Sequence, residues 1–197
     1  RWSVDPGNQS YHALEQVLGG ALWNAAQDSR RWDLLTKNNF GHSVLTINGE
    51  KFLVDGRADL VQRDSRSLYP EYTFDLSALY GENLEKADRT FTRVSKSCLR
   101  ITDRVSFSAL TESLTWQMMT QAEVEVDGNL LILQQDGKTL YLRIEDHIPF
   151  EVKVVALSPP PLPYDKDMEG LKRLEIHWKR ADFPGPSAVL IIELDSK

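Results

Sequence analysis

The sequence predicts an all-β fold, a large antiparallel β-sandwich with a short N-terminal helical segment, on three observations. Asn48-Gly49, Asp127-Gly128 and Asp136-Gly137 punctuate short apolar runs; such pairs tolerate the positive φ that a two-residue hairpin turn demands. Leu140, Leu142 and Ile144 alternate with Tyr141 and Arg143, the period of a strand with two different faces. Helical spacing is confined to Tyr11 to Asp33, where Leu14, Val17, Leu18, Leu22 and Trp23 recur around an interruption at Gly19-Gly20. That stretch is expected as a helix or as two turns either side of a break.

The strands follow in order. Val44 to Ile47 and Phe52 to Val54 flank Asn48-Gly49 and are expected as a hairpin. Strands are expected at Ala58 to Gln62, Tyr72 to Leu76, Thr90 to Ser95, Leu99 to Phe107 and Leu114 to Thr120. Ala122 to Val126, Leu130 to Leu133 and Leu140 to Ile144 read as a meander, joined at Asp127-Gly128 and Asp136-Gly137. Val152 to Leu157, Leu171 to His177 and Ala188 to Leu194 complete the set. Ser158 to Pro163 carries four prolines in six residues, which cannot pair inside a sheet and read as an extended linker ahead of a closing strand pair. About a dozen short strands favour a sandwich, and 197 residues suit one domain, residues 1–197.

Composition excludes several roles. A net charge of -6 gives no general attraction to nucleic acid or anionic lipid, so neither is an expected partner. No apolar run approaches the length of a membrane-spanning helix. Cys98 is the one cysteine, so no internal disulfide can form, and its neighbours suggest a small apolar filler in a buried strand. No phosphate-binding glycine loop, serine elbow or paired-cysteine motif is present. The chain opens at Arg1-Trp2-Ser3 without an initiator Met, the start expected of a piece of a longer protein.

Among possible site residues, His12, His147 and His177 lack the company a metal centre needs; Glu145 and Glu175 each precede a histidine by two residues, half a site at most. Asp75, Tyr80 and Asp103 suit strand ends or turns as well as a site, and Glu123 and Glu125 read as one solvated strand face. His42 has richer surroundings, following Arg30-Arg31-Trp32 and Asn38-Asn39-Phe40-Gly41. Arginine forks match carboxylates and sulfates, an indole stacks on a sugar ring, amides bond hydroxyls, and imidazole exchanges protons near neutrality. The same residues admit a second reading, with Trp32 in the core, Arg30 and Arg31 solvated, and Asn38-Asn39 a simple turn.

The run Ser29 to Trp32, then Asn38 to Gly49, resembles the signature of the heparinase II/III polysaccharide lyases. Val54 to Ala58, Asp75 to Tyr80, Arg89 with Arg93, Ile101 to Arg104 and Leu114 to Trp116 are similar to further elements of that family, in the same order. The resemblance implies a C-terminal β-sandwich that forms one wall of a cleft, with an N-terminal (α/α) toroid, outside this chain, forming the other. It implies β-elimination on a uronate polysaccharide, with the C5 proton removed and the C4–O bond broken while the enolate is stabilised. His42 then matches the sandwich's catalytic histidine, and Arg31, Trp32, Asn38 and Asn39 match positions that bind substrate or shape the cleft. The catalytic Tyr would come from the toroid. Ser43 stands where Asn is common, and Val44 stands where zinc-binding relatives have a second histidine, so neither metal nor cofactor is expected. An acidic polysaccharide and the toroid are the implied partners, and the implied address is periplasmic or secreted. The alternative is a non-catalytic glycan-binding or scaffolding module, with Trp2, Trp23 and Trp32 as platform or covered face. An epimerising sandwich enzyme is a third, but it would need a second acid or base opposite His42.

Overall fold

The structure is a computed structural model that describes residues 1–64, 66–145 and 147–196. A helix, α1 (Tyr11–Leu18), opens the chain, with Ser10 at its N-cap accepting from the Ala13 amide. A tighter turn over Gly19–Trp23 continues it and another follows at Arg30–Asp33, so the predicted break at Gly19 is present.

The four-stranded sheet runs in the order β1 (Leu45–Ile47), β6 (Ser113–Thr120), β11 (Lys172–Lys179) and β10 (Glu151–Ala156). The eight-stranded sheet runs β2 (Asp59–Asp64), β3 (Glu71–Asp75), β4 (Leu84–Arg93), β5 (Cys98–Phe107), β12 (Ser187–Ser196), β9 (Lys138–Ile144), β8 (Leu130–Gln135) and β7 (Glu123–Asp127). Every pairing is antiparallel. Alternate residues of each sheet meet in one core: Leu114, Trp116 and Met118 of β6, with Leu174, Ile176 and Trp178 of β11, pack with Leu140, Leu142 and Ile144 of β9 and with Leu190 and Ile192 of β12. Burying each such side chain stabilises by about 1.5–3 kcal/mol before its entropy cost.

Four expectations from sequence need correction. Asn48-Gly49 does turn, both at positive φ, but no hairpin follows. β1 pairs instead with β6, Leu45 opposite Trp116, and the amides of Phe52, Leu53 and Val54 bond to Asn39 Oδ1, the Leu79 carbonyl and Gln27 Oε1. With those donors taken, residues 52–54 have no ladder to join. The first meander turn lies one residue later than read, at Gly128-Asn129, with Asp127 still paired to Leu130. The proline segment does not precede a closing pair: β11 lies between β6 and β10, and β12 between β5 and β9, in different sheets. Cys98 is partly exposed, and burial, with Glu193 and Asp195 nearby, pushes its thiol up and away from the reactive thiolate.

The other face of the four-stranded sheet is polar along the middle of β6 and β11, beside an apolar patch where Met119 and Val155 pack with Leu35 and Phe40. Gln117 and Thr115 of β6 stand beside Glu175 and His177 of β11, and the N-terminal forty-odd residues lie across part of it through Phe40, which accepts from Arg173 Nη1 at 2.9 Å. Glu175 is bonded by Arg173 Nε at 2.5 Å and by His177 Nε2 at 2.7 Å. Burial opposes its charge, but the His177 and Arg173 bonds outweigh that and hold the carboxyl below its ordinary 4.5. A carboxyl depressed on folding adds stability above its unfolded value and loses it as pH falls through the folded one. Glu175→Gln should therefore lower the urea midpoint at neutral pH and flatten the acid limb below 4.5. An acid limb as steep as that of the unmodified chain would refute this.

Candidate active site

The site is built on two short turns and the strand that follows them. Ser29 caps the turn Arg30–Asp33, its Oγ accepting from the Arg31 amide, and Asn38 caps Asn39–Gly41, its Oδ1 accepting from the Phe40 amide at 2.9 Å. Chain direction then changes at His42 into β1. Gln117 secures this bend from below: its Nε2 donates to the Asn39 carbonyl at 2.5 Å and to the His42 carbonyl at 2.6 Å. Gln117 is 1% exposed, so its amide is effectively part of the backbone scaffold. Ser43 accepts from the Met119 amide at 3.0 Å, a second tie between the bend and β6.

Gly41 passes hard against the preceding turn. A Cβ there would lie 1.9 Å from the Leu35 carbonyl oxygen, inside any permissible contact, and that oxygen is backbone. Gly41→Ala should cost on the order of 2–4 kcal/mol of stability in urea unfolding and displace His42 with it. A loss below half a unit would show that the bend relaxes.

Above the bend lies a pocket of about 280 Å³, lined by Trp32, Lys37, Asn38, Asn39, His42 and Lys51 together with apolar atoms of the 52–56 segment. Four of the five residues singled out from sequence therefore reach one cavity. The fifth, Arg31, is turned aside: its Nη1 donates to the Leu22 carbonyl, and its guanidinium lies 5.2 Å from the Trp32 ring centroid.

The amides have internal work. Asn39 is buried, donates to Thr46 Oγ1 and to the Glu50 carbonyl, and accepts from the Phe52 amide. Asn38 donates to the Trp32 and Asp33 carbonyls while capping its turn. Both hold the pocket's shape. The Trp32 indole is oriented by a bond from Nε1 to the Ala26 carbonyl at 2.9 Å. The Lys37 and Lys51 side chains also line the cavity; Lys51 Nζ is held 2.7 Å from Asp33 Oδ1 at the exposed rim, and Lys37 Nζ donates to Tyr11 Oη and Asn8 Oδ1.

His42 is about one-third exposed, with Nδ1 2.6 Å from Asp5 Oδ2. Burial opposes the Asp5 charge, but the Gly7 amide bond at 2.7 Å and His42 itself outweigh it, holding the carboxyl below its ordinary value. In the neutral ring, a carboxylate at Nδ1 favours the Nδ1–H tautomer, whose Nε2 carries the lone pair. This is the base-and-orienter half of many proton-transfer sites. Asp5 lies 37 residues from His42 in sequence, and nothing local to either residue marks the pairing. Lys37, Lys51 and Gln117 were also missed; the two lysines follow a pocket turn and a hairpin-like turn, which alone is a weak signal.

Neither family models nor curated proteins match this sequence. Solved structures do match by fold. The heparan sulfate lyase HepC from Pedobacter heparinus superposes with a TM-score of 0.63 at 14% identity, over 99% of this chain. The chain has the fold of part of a heparinase III-type lyase. Two heparinase III structures agree at TM-scores of 0.62 and 0.57, each at 14% identity, over 87% and 85% of this chain. The heparinase-like region spans 25% to 28% of the length of those lyases.

Proposed function

We propose that this chain is the C-terminal β-sandwich of a secreted or periplasmic polysaccharide lyase, and that it supplies one wall of a cleft in which acidic glycans undergo β-elimination. The observation that carries this reading is the Asp5–His42 pair, whose imidazole lines a cavity shared with Trp32 and the side chains of Lys37 and Lys51. The fold shared with heparan sulfate lyases supports it.

In this reading Lys51, at the rim, attracts the uronate carboxylate and Trp32 packs on a sugar face. His42 Nε2 takes the C5 proton; the C5–H electron pair becomes the C4=C5 double bond as the C4–O bond breaks. The leaving oxygen receives a proton from an acid on the opposing wall. A cation beside the carboxylate stabilises the enolate that forms on the way.

The test is the absorbance of the unsaturated product from a panel of uronate polymers, for the full-length enzyme and for the 197-residue chain alone. The full-length enzyme should turn over at least one polymer, and the chain alone should turn over none because the acid is missing. Turnover by the chain alone would refute the shared-cleft reading; no turnover by the full-length enzyme on any uronate would leave a glycan-binding module.

A further inference from the structure

A pocket of about 280 Å³ is at the small end of ligand sites and takes about one sugar ring, so a polymer must rest its neighbouring residues elsewhere. We infer that the outer side of the N-terminal helical segment, Tyr11 with Trp23, Lys37 and Arg31, is a second sugar subsite that takes an acidic residue of the same glycan. The inference deepens the pocket reading and rests on it for the direction in which the glycan runs.

Trp23 is 59% exposed. A lone exposed aromatic side chain is ordinary on a protein surface, and exposure alone would not fix its ring. It is instead locked. Its ring lies parallel to Tyr11, with centroids 5.5 Å apart and 11° between planes, and its Nε1 donates to Glu15 Oε1 at 3.1 Å. One indole face is used by Tyr11, and the ring keeps a fixed orientation, the rigid aromatic surface on which a sugar's C–H face can settle with little entropy loss. Beneath it, Leu14, Leu18, Leu22 and Leu34 form a separate small core that holds α1 and both turns in place.

The charge at this ridge is placed rather than plentiful. Lys37 Nζ donates to Tyr11 Oη at 3.1 Å and lies 4.7 Å from the Tyr11 ring centroid. Arg31 also acts on that hydroxyl, and the two cations together hold the phenol below its ordinary value. Glu15 is engaged with the indole, and Asp33 with Lys51. Lys37 is the link, since the same side chain lines the His42 pocket. A hexuronate or sulfated sugar next to the one in the pocket would meet an indole face, a phenol hydroxyl and a cation together, which a neutral sugar would not exploit.

The experiment is calorimetric binding of a uronate-containing disaccharide and tetrasaccharide to the 197-residue chain, with Trp23→Ala, Trp23→Phe and His42→Ala. Trp23→Ala should weaken the tetrasaccharide about tenfold and leave the disaccharide unchanged, Trp23→Phe should restore most of the loss, and His42→Ala should weaken both ligands. A carboxyl-reduced tetrasaccharide should bind the unmodified chain as weakly as the Trp23→Ala chain binds the acidic one. Undiminished binding by Trp23→Ala alongside a weakened His42→Ala overturns the subsite and leaves the pocket standing. The reverse pattern keeps the ridge as a glycan site and removes the pocket. If the unmodified chain binds neither ligand, both fall; if the carboxyl-reduced glycan binds equally well, the acidic assignment fails.

Discussion

Replacing His42 with alanine in the proposed full-length lyase should lower kcat by about 10²–10⁴ while the fold stays intact. The side chain is one-third exposed and, among the described residues, lies outside the apolar clusters, so its loss leaves no core cavity. In the proposed β-elimination, what disappears is the atom that receives the C5 proton. Asp5→Asn should act in the same direction but less severely, because an amide still occupies the space while losing the charge that selects the Nδ1-protonated form. The two substitutions act on one unit, so the double variant should fall no further than His42→Ala alone. Additive losses would mean that Asp5 contributes independently, for example by shaping the N-terminal segment. Unchanged kcat in His42→Ala would make the imidazole structural and bring forward the scaffolding alternative.

The second large effect concerns stability. Arg89 of β4 and Asp103 of β5 are directly opposite and form a two-pronged pair, Nε to Oδ1 at 2.6 Å and Nη2 to Oδ2 at 2.8 Å, at 7% and 2% exposure. Tyr80, buried nearby and donating to the Leu45 carbonyl at 2.9 Å, stays protonated because burial, with Asp103 adding to it, pushes its phenol up. Removing one partner of a buried pair strands the other charge. Arg89→Met or Asp103→Leu should each cost about 3–5 kcal/mol in denaturant unfolding. Replacing both together should recover most of that, since two apolar residues of similar size leave no charge to desolvate. A double variant as unstable as the singles would assign the loss to packing.

Much of the fold was legible because it is local. Strand periodicity shows in Leu140, Leu142 and Ile144, all buried, against exposed Arg143, and the type of turn needed at Asp136-Gly137 is written in its residues, both at positive φ. Partner choice was not legible. Asn48-Gly49 has the chemistry of a hairpin turn, yet the strand it closes finds β6, about seventy residues on in the register Thr46 to Thr115. The site divides in the same way. The cluster from Trp32 to His42 is short enough for its members to meet through two capped turns, whereas Asp5, Lys51 and Gln117 reach it only through the folded chain. Asn39 shows the opposite difficulty: an amide beside a candidate base looks like a ligand in sequence, and the fold uses it to hold residues 50 and 52 instead.

The Gln117 and Asn39 amides separate the pocket into a frame and a face. The frame is set from inside, by buried groups whose replacement would disturb β6 and the bend together. The face consists of Trp32, Lys37 and Lys51, whose side chains line the cavity and make none of those bonds. In a lyase of the proposed kind, selectivity among glycans could therefore drift, in nature or by design, at three positions while the geometry around His42 is inherited unchanged.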